Sequence, residues 1–244
     1  MRKLIKRFVP DLLVDFVNAK RRAKLFKNQP IKEVFTSYKE TRFWNSSESL
    51  SGDGSELSVT IALRKELEQV LEQFKVKTML DIPCGDFNWM QAVDLNNVQY
   101  IGADIVASLI LDNSKKYATE RVSFVELDLT SSSIPKVDLI FCRDCLVHLS
   151  YKDIYRALRN IKCSGSSYLL STSFIDTSRN IDIVTGEWRK LNLESSPFNL
   201  GTPLEVIDEK YTLKGERYTD KSMCLWRIED IKLPLKLKVY SWFI

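Results

Sequence analysis

Residues 79–90, Met-Leu-Asp-Ile-Pro-Cys-Gly-Asp-Phe-Asn-Trp-Met, constrain the fold more than any other stretch of the chain. An apolar strand ends in an acid, Asp81, and enters a turn holding one glycine, Gly85, where the missing Cβ lets the backbone turn tightly and approach a ligand. A helix-compatible run follows, expected near 87–93, whose opening N–H groups would face that ligand. Nineteen residues after Gly85 a second apolar run, residues 98–105, ends with Asp104. That is where an acid accepts hydrogen bonds from ribose hydroxyls in a doubly wound sheet.

The rest of the chain repeats this alternation. Strands are expected near 78–82, 98–104, 122–127, 137–142 and 167–174, with helices near 107–118 and 152–162. Short apolar strands alternating with helices predict an α/β fold with a parallel sheet covered on both faces. Ligands of such sheets sit beyond the carboxyl ends of the strands, where Gly85, Asp104, Asp128 and Arg143 all fall. Two further strands, near 222–228 and 236–243, are expected to close the sheet as an antiparallel hairpin. Residues 63–74 carry Leu63, Leu67, Val70, Leu71 and Phe74 at helical spacing, which predicts a helix packed on the sheet. Residues 31–56 hold Phe35, Tyr38, Phe43 and Trp44, followed by a Ser, Gly and Asp cluster over 46–55 that reads as loop without an assigned role. From 175 to 221 the pattern dissolves into polar residues, and a connection this long predicts a substrate loop or lid.

A dinucleotide site would show three spaced glycines, and two of the three are missing, so a pyrophosphate is not the expected ligand. The series of Asp81 and Gly85, then Asp104, then Asp128 after a third strand resembles the class I S-adenosylmethionine-dependent methyltransferases over roughly residues 50–175. The resemblance implies a seven-stranded, Rossmann-like, mostly parallel sheet with a closing antiparallel hairpin. It implies that Asp81, Pro83, Cys84, Gly85 and Asp86 lie under the methionine half of the cofactor, and that Asp104 with Ile105 meets the ribose. Asp128 with Leu129 would border the adenine, and residues 138–148, Arg143 included, would form the active-site edge. More narrowly, Ser51-Gly-Asp-Gly-Ser55, the 81–90 phrase and Cys142-Arg-Asp-Cys-Leu-Val-His-Leu149 resemble a bacterial subgroup met beside polysaccharide-synthesis functions. That points to a sugar, glycolipid or other small-molecule acceptor.

Methyl transfer to a hydroxyl needs a positioned nucleophile and a proton acceptor. His148 is the only histidine. It reads either as that base or as padding for the next helix. Asp144 is the competing base, or orients His148, or is a solvated loop acid. Arg143 either pairs with an anionic substrate group or is held by Asp138 or Asp144. Trp89 stacks on a ligand or packs under the sheet, and residues 197–203 with Glu205 and Glu209 read either as lining the acceptor site or as an ordinary solvated loop. Cys142 and Cys145 have the spacing of half a zinc site, but no second pair exists, so no metal is expected. N-methylation of a small molecule or protein, and a non-catalytic scaffold of the same fold, are the competing functions.

At 244 residues with 44% hydrophobic side chains the chain is sized for one substantial core. The expected division is an extension over 1–30 and one methyltransferase domain over 31–244. Residues 1–27 hold nine Lys or Arg against two Asp, while the remainder is slightly acidic and shows no basic aromatic stripe, so nucleic acid is not an expected partner. Leu4, Ile5, Phe8, Val9, Leu12, Leu13, Phe16 and Val17 fall on one face of a helix, read as a peripheral membrane contact or as a surface for the body or a partner subunit. Scattered cysteines and the lack of a long apolar span predict a cytoplasmic protein, peripheral at the inner membrane face if the tail binds there. Oligomeric state is not fixed by any of these features.

Overall fold

The computed structural model describes residues 26–27, 29–44, 46–211, 213 and 218–233. The expected helix of residues 1–27 lies almost wholly outside them. The order of elements is α1 (Ile31–Glu40), α2 (Ile61–Gln73), β1 (Thr78–Asp81), β2 (Gln99–Asp104), α3 (Ala107–Tyr117), β3 (Val122–Glu126), β4 (Leu139–Cys142), α4 (Tyr151–Cys163), β5 (Tyr168–Phe174), β6 (Glu205–Asp208) and β7 (Lys221–Arg227). The strands form one seven-stranded sheet in the order β3-β2-β1-β4-β5-β7-β6. β1 to β5 are parallel, and β7 runs antiparallel between β5 and β6.

Period-two alternation decides which side chains go to which face. In β4, Leu139 and Phe141 join a core with Leu63 and Leu67 of α2, while Ile140 and Cys142 join the opposite core with Ile154, Leu158 and Ile161 of α4. All four β4 residues are buried, as expected for a central strand covered on both sides. The strand order reverses between β1 and β4, which opens a crevice at their carboxyl ends.

Three elements differ from expectation. No α-helix forms over 87–93. Phe87 has φ +59°, a left-handed conformation that cannot start a helix, and only a short 3-10 turn forms at Met90–Ala92. Burial of Phe87, Trp89 and Met90 outweighs the local helical preference. The strand that closes the sheet beside β7 is β6, drawn from the polar segment, and residues 236–243 lie outside those described. Finally, residues 175–204 are irregular yet packed. Leu191, Leu193, Phe198 and Leu200 are buried. Asn180 Nδ2 donates to the carbonyls of Asn192 (2.8 Å) and Ser196 (2.9 Å), and Asn192 Nδ2 donates to those of Ile175 and Thr177, both at 3.1 Å.

Phe198 meets Tyr151 edge-on, ring centroids 5.2 Å apart. Replacing Phe198 with Ala should therefore cost about 3–5 kcal/mol in chemical unfolding, as for a core aromatic. A loss below about 0.5 kcal/mol, typical of an exposed loop, would show that the segment is not packed in this way.

Candidate active site

A cavity of about 530 Å³ opens at the carboxyl ends of the parallel strands and is lined by the residues expected to bind the cofactor or act in catalysis: Asp81, Pro83, Cys84, Gly85, Asp86, Asp104, Ile105, Asp128, Leu129, Arg143, Asp144 and His148. The strands bring their ends together there, but the side chains play unequal parts.

Asp81 and Asp104 end β1 and β2, and both are buried. Asp81 Oδ2 accepts from the Tyr100 hydroxyl at 2.6 Å; Asp104 accepts from the Gly85 N–H at 3.2 Å and the Val106 N–H at 2.9 Å. Burial pushes the Asp81 carboxyl up to about 7, against the Tyr100 hydrogen bond and with help from the Asp104 charge. Burial likewise raises Asp104 to about 6, although the Val106 and Gly85 amides favour its ionised form. Two buried acids that resist ionisation form a place prepared for a cation or for hydroxyl donors. Cys84 is buried between them, and burial followed by their charges raises its pKa, so it remains a thiol.

Gly85 has φ +55°, and a Cβ there would collide with Ser51 Oγ. Its carbonyl accepts from the buried Asn113 amide at 2.8 Å. Asp86 faces the serine-rich segment: its carboxylate accepts from Leu50 N–H at 2.6 Å and Ser49 Oγ at 3.0 Å. Residues 50–55, read from sequence as loop, are thus a strap over the glycine turn and line the cavity. Asp128 is occupied by its own turn, accepting from the Thr130 amide (2.8 Å), Thr130 Oγ1 (2.7 Å) and Ser131 Oγ (2.8 Å).

Arg143 is not free to meet an anion. Its Nη2 donates to Glu209 at 2.7 Å and to the Gly54 carbonyl at 2.9 Å, and Nη1 lies 3.5 Å from Asp144. Burial opposes the charge, but Glu209 and Asp144 more than offset it and hold the guanidinium above its ordinary value. Asp144, left-handed at φ +50°, also pairs with Lys221 at 2.6 Å. Burial works against its ionisation, yet Lys221 and Arg143 hold it down to about 2. Such a carboxylate is a poor proton acceptor at neutral pH. Asp138, expected at this edge, instead precedes β4 at the far end of the sheet and accepts from the Lys77 and Thr78 amides, each at 2.9 Å. Trp89 is packed, its ring under Arg143 and 5.8 Å from that of Phe141.

His148 ends a 3-10 turn after β4, and its Nδ1 lies 2.9 Å from the Glu187 carbonyl. A carbonyl can only accept, so Nδ1 carries the proton. Burial lowers the imidazole's pKa more than the Glu187 carbonyl and Asp144 raise it. The ring is therefore neutral near pH 7, with Nε2 left as the acceptor.

The sequence reading missed the wall around this ring. Phe35 of α1 and Trp44 lie edge-on to His148, centroids at 6.4 and 5.9 Å. Tyr38 stacks on Phe43 at 4.1 Å, and its hydroxyl donates to the Gly186 carbonyl, which docks α1 against the 186–188 segment. Trp188, Tyr211, Tyr218 and Lys221 complete the cavity. Aromatic residues clustered at 35–44 were the one signal available for this wall. Of the other expected acceptor-site residues, Phe198 is in the core, Glu205 accepts from Gln73 Nε2 at 2.9 Å away from the cavity, and Glu209 gives Oε2 to Arg143 and Lys221 while its buried Oε1 has no hydrogen-bond partner among the described residues. Among the described residues no group of side chains could hold a metal ion, and all five cysteines are free.

Residues 79–164, which span β1 to α4, match the family model described as a methyltransferase domain. That stretch is similar to a methyltransferase domain. No curated protein matches the sequence. Among solved structures, "PigF with SAH" aligns over 92% of this chain and 72% of its own, with 16% identity and TM-score 0.57. Magnesium protoporphyrin IX methyltransferase (ChlM) from Synechocystis PCC 6803 with bound SAM aligns over 82% of this chain and 97% of its own, with 12% identity and TM-score 0.53. The methyltransferase domain of bacterial CtHen1 aligns at 14% identity and TM-score 0.42, and this chain spans 66% of its length, under two thirds. At these identities the likeness concerns the fold.

Two outcomes follow from the geometry of this site. Gly85→Ala should weaken S-adenosylmethionine binding roughly tenfold or more in calorimetry, since strain of about 1–3 kcal/mol must be absorbed at the turn; unchanged affinity would show that the turn can yield. An acid whose pKa is raised on folding binds more protons in the native than in the unfolded state between about pH 4 and 7, so its contribution to stability falls as pH rises through that range. The unliganded protein should therefore lose stability relative to Asp81→Asn between pH 4 and 7 in paired thermal melts, and parallel curves would show that Asp81 ionises normally.

Proposed function

We propose that this protein is a methyltransferase that takes its methyl group from S-adenosylmethionine and transfers it to a hydroxyl of a sugar, or of a glycolipid or polysaccharide intermediate. The observation that carries the hydroxyl reading is His148: a neutral imidazole, in a residue that lines the cavity, whose Nδ1 proton is fixed by a backbone carbonyl, leaving Nε2 as the ring's acceptor. A protonated hydroxyl is a weak nucleophile, and a base of this kind is worth roughly 100- to 10,000-fold in rate.

The residues present fit the donor. Asp104 and Asp81 offer buried carboxylates, suited to ribose hydroxyls and to the positive charge that the donor carries, and Gly85 keeps the space over the turn free of a Cβ. Asp128 with Leu129 and Ile105 lines the same end. The donor supplies an electrophilic methyl on a sulfonium, so the chain itself needs no covalent step. Its residues hold the acceptor oxygen in line, exclude water with the strap at 50–55 and the α1 aromatics, and receive the proton. As the new O–CH₃ bond forms, the hydroxyl proton passes to Nε2, and the Glu187 carbonyl together with Asp144 stabilises the imidazolium that results. Sugar specificity rests on the narrower resemblance of the Ser51–Ser55 and Cys142–Leu149 phrases and on the aromatic wall, because aromatic rings pack well on the C–H faces of sugar rings.

His148→Ala should lower kcat about 100-fold or more on the natural acceptor while leaving S-adenosylmethionine affinity within about twofold. The wild-type rate should rise with pH through a limb below 6.5, the ordinary imidazole value, and that limb should vanish in the variant. A variant of nearly wild-type rate would remove His148 as the base and favour an amine acceptor, and donor binding without turnover of any acceptor would favour a scaffold.

A further inference from the structure

The charges on the cavity wall show which acceptors it tolerates. Seven carboxylate-bearing residues line it against three cationic ones, Lys39, Arg143 and Lys221. Each of those cations already has a carboxylate: Lys39 pairs with Asp112 at 2.9 Å, Arg143 with Glu209 at 2.7 Å and Lys221 with Asp144 at 2.6 Å. Arg143 and Lys221 are also buried. A phosphate entering here would meet no unpaired cation among the described lining residues and an excess of negative charge. Desolvating it without a partner is costly. An ammonium gains little near the base either, because Asp144 is committed to Lys221 and Arg143, and Glu209, whose buried Oε1 has no hydrogen-bond partner among the described residues, does not line the cavity. What surrounds His148 is aromatic: Phe35 and Trp44 edge-on to it, with Trp188, partly open to solvent, in edge contact with Tyr218 at 5.2 Å.

We infer that the acceptor enters as an uncharged ring, a sugar that bears no phosphate within the cavity, lying against the aromatic wall with its reacting hydroxyl toward His148. This rests on the hydroxyl-methylation reading and narrows it: nucleoside-diphosphate sugars and sugar phosphates are excluded as substrates, and glycosides already free of the nucleotide are accepted. The reaction that supplies the substrate is then one that has released the sugar from its activated, phosphorylated form, a glycosyl transfer or a phosphatase step.

The test is methyl transfer from labelled S-adenosylmethionine to matched sets of hexoses, each offered as the alkyl glycoside, the 1-phosphate, the nucleoside-diphosphate sugar and the amino sugar. The glycoside should exceed its phosphorylated counterparts roughly 100-fold in kcat/KM, the scale of an unpaired charge beside buried like charges. Asp144→Asn, which removes the nearer of the two carboxylates on Lys221 and leaves only Glu209 at 3.3 Å, and keeps a residue at home in the left-handed region, should narrow that gap about tenfold. A merely structural role for Asp144 would not change the ratio. Equal or better turnover of the phosphorylated forms, or an unchanged ratio in the variant, overturns the inference while leaving hydroxyl methylation standing. Methylation of the amino sugars alone, on nitrogen, overturns both. Should no acceptor react although the donor binds, the hydroxyl reading fails, and binding of the same glycosides and phosphates to protein loaded with S-adenosylhomocysteine decides the charge question; equal affinity for the two overturns the inference.

Discussion

The buried pair of Arg143 with Glu209 is the interaction on which the rest of the site depends. One guanidinium leaving β4 holds a carboxylate that follows β6, the carbonyl of Gly54 in the strap and the carboxylate of Asp144, while Glu209 also reaches Lys221 at the start of β7. Segments far apart in the chain meet at this point. A buried ion pair contributes little net stability, because desolvation offsets most of the attraction, but removing one member leaves an uncompensated charge at a cost of about 3–5 kcal/mol. The network therefore acts mainly on geometry. It forces the strap, the β4 turn and the antiparallel edge of the sheet into one arrangement.

Around that fixed rim the cavity divides by chemistry. At the β1 and β2 ends sit buried acids whose ionisation is opposed by burial and by each other, and which gain when a cation or a hydroxyl donor arrives. Toward α1 and residues 186–188 the wall is aromatic, and the single histidine is held neutral in one tautomer. Methyl transfer from a sulfonium needs little more than this: a donor end that welcomes positive charge, an acceptor end that sets a nucleophile in line, and a proton acceptor beside it.

The glycine turn shows how much can rest on one missing Cβ. Ser51 occupies the space above Gly85, and Asp86 fastens Ser49 and Leu50 immediately beside it. The acid after the glycine thus anchors the protein's own strap, a use that the neighbouring residues in sequence do not reveal. Asp144 and Arg143 were likewise readable as reactive groups only until their partners, Lys221 and Glu209, were known.

What the sequence determined by itself was whatever depends on neighbours a few residues apart. Short apolar runs with helices between them define β1 to β5, and the spacing of Asp81, Gly85, Asp104 and Asp128 puts these residues at or just beyond strand ends, because a strand of known length has only one carboxyl end. Tertiary structure decided everything that depends on partners distant in the chain. Phe87 is left-handed rather than helical because it and Trp89 and Met90 gain more from burial than from a helix. The strand beside β7 is Glu205–Asp208, only four residues long and half exposed, and its place is set by pairing with β7 and not by its own pattern. The state of His148 depends on a carbonyl 39 residues away, and that of Arg143 on a carboxylate 66 residues away. A side chain's charge and reactivity follow from the field of its neighbours, and only the folded chain brings those neighbours together.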